Sequence, residues 1–316
     1  MYMLLTYTST PAIVDTIDNI MALRQSILLS PLSPRTELRL KFEATVNRIR
    51  ASLFLSGIDT DTELISNTLL THPKIPSKKQ IAIMGYNRAL QTIDSDWKNN
   101  ISSISFQDMT DVIASVSQNH SSDRLPRGAE ADIRELLSFF DSSIINPFLK
   151  AAIASHLFLV YPAFSEDQGK IGRLIAYGVL SHSGMDVRGL LTPEFAWLGK
   201  EPIVTKALSK SLDEASLTPW IETYLLLCLA SLTNTIAVLK EKKYTTRLPI
   251  SFFDLTERQK EIVRLSAHPE ATLTNASLQK RFSVSQITAS RDLARLTGLG
   301  LLFAHGRGRS IYYTKV

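Results

Sequence analysis

The 316-residue sequence contains a single cysteine, Cys228. One thiol excludes a disulfide within the chain and any cysteine metal cluster. Its place inside "YLLLCLASL" (224–232) reads as a small buried hydrophobe rather than a nucleophile. Long apolar runs are missing as well. That stretch is the longest, far short of the roughly 20 residues a membrane span needs. No basic segment leads into an apolar core at "MYMLLTYTSTPAIV", so the expectation is a cytoplasmic chain with no membrane partner. Internal repeats and low-complexity segments are absent, and strand-like alternation is scarce. With 44% hydrophobic and 21% charged residues, the composition is that of an ordinary globular protein.

The charge that is present is unevenly placed. From Pro249 to the C-terminus there are 3 Lys and 7 Arg against 5 Asp plus Glu, which is +5; the preceding residues hold 25 of each sign. The whole net charge of +5 therefore belongs to the last quarter. A neutral body carrying a small basic domain is the electrostatic footprint of a nucleic-acid binder.

Helical periodicity dominates the body. Apolar residues recur at three and four over 37–55, 78–93, 130–143, 148–161, 172–184 and 219–243, separated by polar clusters such as "SQNHSSDRLPRG" and "SGIDTDTE". This predicts an all-α body of six or more helices. In the last domain Thr256 caps a helix at "LTERQKEIVRLSA", "NASLQKRFS" forms a second, and Ser285 caps a third at "VSQITASRDLARLTGLG". "LLFAHGRGRSIYYTKV" then reads as two short strands around a Gly-Arg turn. Three helices and a hairpin are the ingredients of a winged helix-turn-helix. In that geometry Gln286, Thr288, Ser290 and Arg291 face base edges or phosphates, and His305, Arg307 and Arg309 on the wing face the DNA backbone. A domain that only packs or binds protein is the alternative.

Between two apolar helical runs lies "LVYPAFSEDQGKIGRLI" (159–175), which offers Glu166, Asp167, Gln168, Lys170 and Arg173 around two glycines, the layout of a phosphate-holding loop. The segment "FSEDQGKIGRLI" resembles the signature of Fic (Fido-fold) proteins, HPFxxGNGRxxR or HPFxxGNGKxGR. The preceding "NPFLKAAIASHLFLVY" looks like the helix leading into it. "GYNRAL" resembles the family's N-terminal helical region, and the C-terminal segment is similar to the winged helix of many bacterial members. The resemblance implies an N-terminal helical region over 1–110, a Fido core over 111–245 and a winged helix over 249–316.

In that family the signature histidine is the general base for AMP transfer from Mg-ATP to a protein hydroxyl. Pro162 stands at its position here, and a general base typically contributes about 10² to 10⁴ in rate. No residue is therefore assigned a catalytic role. Ala163 replaces the motif proline, and Phe164 is kept. Glu166 aligns with the family's Mg²⁺ ligand; Asp167 replaces the first motif glycine and Gln168 the asparagine. Gly169, Lys170, Gly172 and Arg173 remain. A second departure lies in the family's inhibitory pattern (S/T)xxxE(G/N): "ASLFLSGI" puts Ser52 and Gly57 in register but Ser56 at the glutamate. Base and brake are both expected to be missing. His156, six residues before Pro162, reads as a core or surface histidine.

Two classes follow. One is a pseudoenzyme that binds DNA, with a body that dimerises or senses a small anionic or nucleotide ligand. The other is a transferase with Asp167 or Glu166 as replacement base and Mg-ATP as donor. A third arrangement of the loop has Glu166 and Asp167 neutralising Lys170 and Arg173 in a salt-bridged helix start.

Overall fold

The computed structural model describes residues 6–71, 73–98, 103–117, 129–142, 144–160, 167–268, 271–306 and 311–315. Helix starts follow the local chemistry. Ser33 caps α2 (Pro34–Phe54) through its side chain with proline at the first position, and Ser77 and Gln80 form a capping box on α4 (Lys78–Thr92). Thr256 with Gln259 and Thr274 with Ser277 do the same for α12 (Glu257–Ser266) and α13 (Asn275–Phe282). Helix α2 stops at Gly57, whose φ of +78° suits a residue without Cβ. Gly57 N donates to Phe54 O and Ile58 N to Leu53 O, both at 2.9 Å, which is a Schellman motif.

The expected helices all appear, and five more join them: α1 (Pro11–Leu29), α3 (Thr62–Thr71), α5 (Phe106–Val116), α9 (Pro193–Trp197) and α10 (Glu201–Asp213). The body otherwise consists of α2, α4, α6 (Ala129–Ser142), α7 (Pro147–Val160), α8 (Gln168–His182) and α11 (Thr218–Glu241). Helices α7 and α8 form the most extensive pair. Their contact depends on Gly172, where a Cβ would lie 3.0 Å from the Ser155 carbonyl. Helix α11 is long and apolar enough to cross a membrane, the only such helix among the described residues. It packs on α1, α7, α9 and α10 and buries Trp220, Ile221, Leu225, Cys228 and Leu232. Burial also pushes the Cys228 thiol well up, in keeping with a packing role.

Helix α4 ends in a π-helical turn, Ile93–Trp97. It aims Asp94 at α8, where the Tyr177 hydroxyl donates to Asp94 Oδ1 at 2.6 Å. The Trp97 carbonyl meets His182 Nδ1 at 2.8 Å, and the Trp97 ring lies over Gly178.

The C-terminal part has its own small core of Ile262, Leu273, Leu278, Ala289, Leu293, Leu296 and Leu302. Helices α12, α13 and α14 (Gln286–Gly298) precede an antiparallel hairpin of β1 (Leu302–His305) and β2 (Tyr312–Lys315), with Leu302 opposite Lys315 and His305 opposite Tyr312. Ser285 caps α14 as expected. The unit is docked rather than loose. Gly298 approaches the Leu69 carbonyl so closely that a Cβ would lie 2.6 Å from it, and Gln91 Nε2 donates to Thr297 O.

A Cβ on Gly178 would fall 2.2 Å from the Trp97 ring. Gly178→Ala is expected to destabilise the protein by about 1–3 kcal/mol through overpacking, read as a lower thermal midpoint. An unchanged midpoint would mean that the π-turn can withdraw from α8 without loss.

Candidate functional site

The described part of the signature segment is helix, not loop. Asp167 is the N-cap residue of α8, and Gln168 to Arg173 form its first turns. Neither Gly169 nor Gly172 has positive φ, so the expected backbone nest is not built from these glycines. Gly172 serves α7–α8 packing, and Gly169 makes room for the Arg173 guanidinium, whose Nη1 would lie 3.1 Å from a Cβ there. Pro162, Ala163, Phe164 and Glu166 lie outside the described residues.

Both cations of the segment are buried and engaged internally. Lys170, 3% exposed, places Nζ 2.5 Å from Asp167 Oδ1 and 3.4 Å from the Val116 carbonyl at the end of α5. A cation there satisfies a helix C-terminus and the N-cap carboxylate together. This is the salt-bridged helix start foreseen for Asp167 and Lys170. Arg173 takes other partners. Its Nε donates to Ser52 Oγ at 2.8 Å, and its Nη2 donates to the Ser52 carbonyl at 2.8 Å and to Ser56 Oγ at 2.7 Å. The serine at the expected glutamate position therefore still receives the arginine, through a neutral hydroxyl. No carboxylate takes part in this contact. Burial depresses the Arg173 guanidinium, with Tyr86 and Glu194 opposing. Tyr86, which shares Ser52, is pushed up to about 12, chiefly by burial.

Sequence reasoning missed what lies behind Arg173. Arg48 on α2 and Glu194 on α9 approach to 3.0 Å while 3% and 4% exposed, without the alignment of a hydrogen bond. Arg48 Nη2 donates to the Leu191 carbonyl at 2.6 Å and its guanidinium covers the Tyr177 ring at 3.8 Å. Burial raises the Glu194 carboxyl, and Arg48 pulls against that. A small cavity of about 20 Å³, room for roughly one water, lies among Arg48, Arg173, Tyr177, Glu194 and Trp197. No local motif marks this pair, because its members are brought together from distant helices.

In this arrangement Lys170 and Arg173 do not present a phosphate cradle: the Lys170 ammonium and the Nε and Nη2 edge of Arg173 are turned into the protein, and the cavity behind Arg173 holds about one water. Among the described residues no group of His, Cys, Asp or Glu could hold a metal ion.

The C-terminal residues form a second candidate surface. Gln286, Ser290 and Arg291 are exposed along the start of α14, and Thr288 is half-buried. Asn275 on α13 donates to the Gln286 carbonyl at 3.1 Å and to Ser290 Oγ at 2.7 Å, which fixes the angle between the two helices. The hydroxyls of Ser285 and Thr288 lie 3.0 Å apart. His305 differs from expectation. Its ring stacks on Tyr312 at 4.7 Å, its Nε2 meets Thr314 Oγ1 at 2.8 Å, and burial depresses its pKa, with Asp96 opposing and Arg88 assisting. These contacts tie the half-buried ring to the facing strand. Arg307 and Arg309 lie outside the described residues.

His156 is a core histidine, one of the two placements expected of it. It is 1% exposed, with Nε2 2.7 Å from Ser211 Oγ and its ring against Trp220. Burial lowers its pKa to about 4. The unfolded chain therefore binds a proton that the folded chain refuses, between the ordinary value of about 6.5 and about 4. Stability should fall with pH across that window by an amount on the order of 2–3 kcal/mol at most, and His156→Gln should flatten the decline. Denaturant unfolding at several pH values checks this; an equal slope in both proteins would place the titration elsewhere.

No protein-family model matches the chain, and no curated protein does. Among solved structures the chain is similar to a Fic family protein from Desulfovibrio desulfuricans G20, with a TM-score of 0.63 and 15% identity. The match covers 99% of this chain and 98% of that one, so α-helical body and C-terminal unit are matched together. The chain therefore has the mainly α Fido fold of that protein, with a small β-hairpin at its C-terminal end.

Proposed function

We propose that this protein is a catalytically degenerate Fido-fold regulator that binds duplex DNA through its C-terminal winged helix-turn-helix. The observation that carries the first half is the hold of Ser52 and Ser56 on Arg173, in a segment whose signature histidine is Pro162. A cation that phosphate would need is spent on a helix end, and the residue that would take the proton cannot titrate. The second half rests on charge and shape. The +5 excess lies in residues 249–316, and the start of α14 offers Gln286, Ser290 and Arg291 to solvent together with an exposed Ile287. Short polar groups beside an arginine suit base edges, and an apolar side chain among them suits a thymine methyl.

The transferase reading is weaker on the same geometry. Asp167, one of its two candidate bases, is the partner of Lys170, and the cavity beside Arg173 admits about one water.

Purified protein incubated with labelled ATP and Mg²⁺ is expected to label neither itself nor other proteins. Pro162→His alone should not restore transfer, because Asp167, Gln168 and the Arg173 contacts remain. Labelling abolished by Glu166→Ala or Asp167→Ala would establish the transferase.

For DNA, the full chain should bind duplex with a slope of log affinity against log salt of roughly −3 to −5. Arg307→Ala or Arg309→Ala should weaken binding to all sequences and reduce that slope by about 1. Gln286→Ala and Arg291→Ala should cost about 1–3 kcal/mol on a selected site and little on random duplex. Binding that ignores salt would remove the DNA assignment.

A further inference from the structure

Helix α2 touches both halves of the proposed regulator. At its C-terminal end Ser52 and Ser56 hold Arg173 of α8. One turn earlier Arg48 meets Glu194 and the Leu191 carbonyl. In its N-terminal half the partners change to the segment that joins body and C-terminal unit. Glu43, 5% exposed, accepts from the amides of Thr245 at 2.8 Å and Thr246 at 2.9 Å, and from both threonine hydroxyls. The Arg39 guanidinium covers the Tyr244 ring at 3.7 Å, and its Nη2 reaches the Thr246 carbonyl at 3.5 Å. Arg35 pairs with Asp254, just before α12.

The spacing of these residues is four within each half. The step of five from Glu43 to Arg48 turns the second group about 140° around the axis from the first. Two stripes on different faces of one helix thus grip two different parts of the chain. The helix between them is stiff: Val46, Ile49, Ser52 and Leu53 are fully buried, and 21 residues span about 30 Å. A helix packed in this way shifts or turns as a body rather than bending, since the surrounding core resists local voids.

We infer that α2 couples the Arg173 contact to the seating of the 244–246 segment, so that releasing Arg173 from Ser52 and Ser56 loosens the grip of Glu43 on Thr245 and Thr246. A phosphate-bearing ligand that drew Arg173 away would thereby change how the C-terminal unit is held. The consequence for DNA rests on the regulator reading above; the coupling itself rests on the contacts alone.

Hydrogen exchange of the full chain separates the two. Ser56→Ala removes one acceptor at the far end of α2 and should speed exchange over 244–248 by about fivefold. Glu43→Gln should do so directly, and the double variant should exceed the faster single by less than about twofold, because both act on one linkage. Unchanged exchange over 244–248 in Ser56→Ala, or a double variant equal to the product of the singles, overturns the coupling. Should Ser56→Ala fail to fold, Arg173→Lys shortens the same contact from the other side and is read identically. DNA affinity measured in parallel reports on the regulator reading. Absence of DNA binding by the wild-type chain would remove that reading while the exchange result still decides the coupling.

Discussion

A buried guanidinium must be met wherever it lies, and Arg173 is met by the end of one helix. Desolvating an arginine costs several kcal/mol unless its N–H groups find acceptors. Ser52 Oγ, the Ser52 carbonyl and Ser56 Oγ supply three, all from the last turns of α2. This places α8 against α2, and the position of α8 then sets what lies around it. Its Gly172 seats it on α7, its Gly178 receives Trp97, and its Tyr177 holds Asp94 on the π-turn.

The same constraint decides what the signature segment can do. A phosphate site needs cations whose donors point outward into a space of suitable size. Here Lys170 closes the end of α5 with Asp167, and Arg173 is turned towards neutral hydroxyls. A hydroxyl in place of a carboxylate changes the strength of that hold. Serine gives up the acceptor's negative charge while still satisfying the donor, so the only ionic partner in the bond is the guanidinium. The contact is thus easier to exchange than an ion pair would be.

The C-terminal unit combines independence and attachment. Its own core of seven buried residues can hold three helices and a hairpin together. Leu255 and Leu301 touch both that core and the large one, and Gly298 is pressed against the Leu69 carbonyl. The contacts with the body involve Thr297 and Gly298 at the end of α14, whereas Gln286, Ser290 and Arg291 at its start stay exposed.

Much of this was legible in the amino-acid sequence. Six helices of the body, the three C-terminal helices with Thr256 and Ser285 as caps, and the hairpin follow from apolar periodicity and capping chemistry, which act over three to seven residues. The +5 excess needs only the letters. Helix α1 was harder to see because much of what it buries is decided by a partner far along the chain. Ile13, Ile20 and Ile27 of α1 are buried largely by α11, some 200 residues away. Tertiary structure alone decided the direction of each polar group: Arg173 to Ser52 and Ser56 rather than to Asp167, His305 to Thr314 rather than to solvent, and Arg48 to Glu194 across 146 positions. The reason is physical. A hydrophobic pattern repeats and announces its face, whereas a buried charge takes whichever partners the finished packing leaves within about 3 Å.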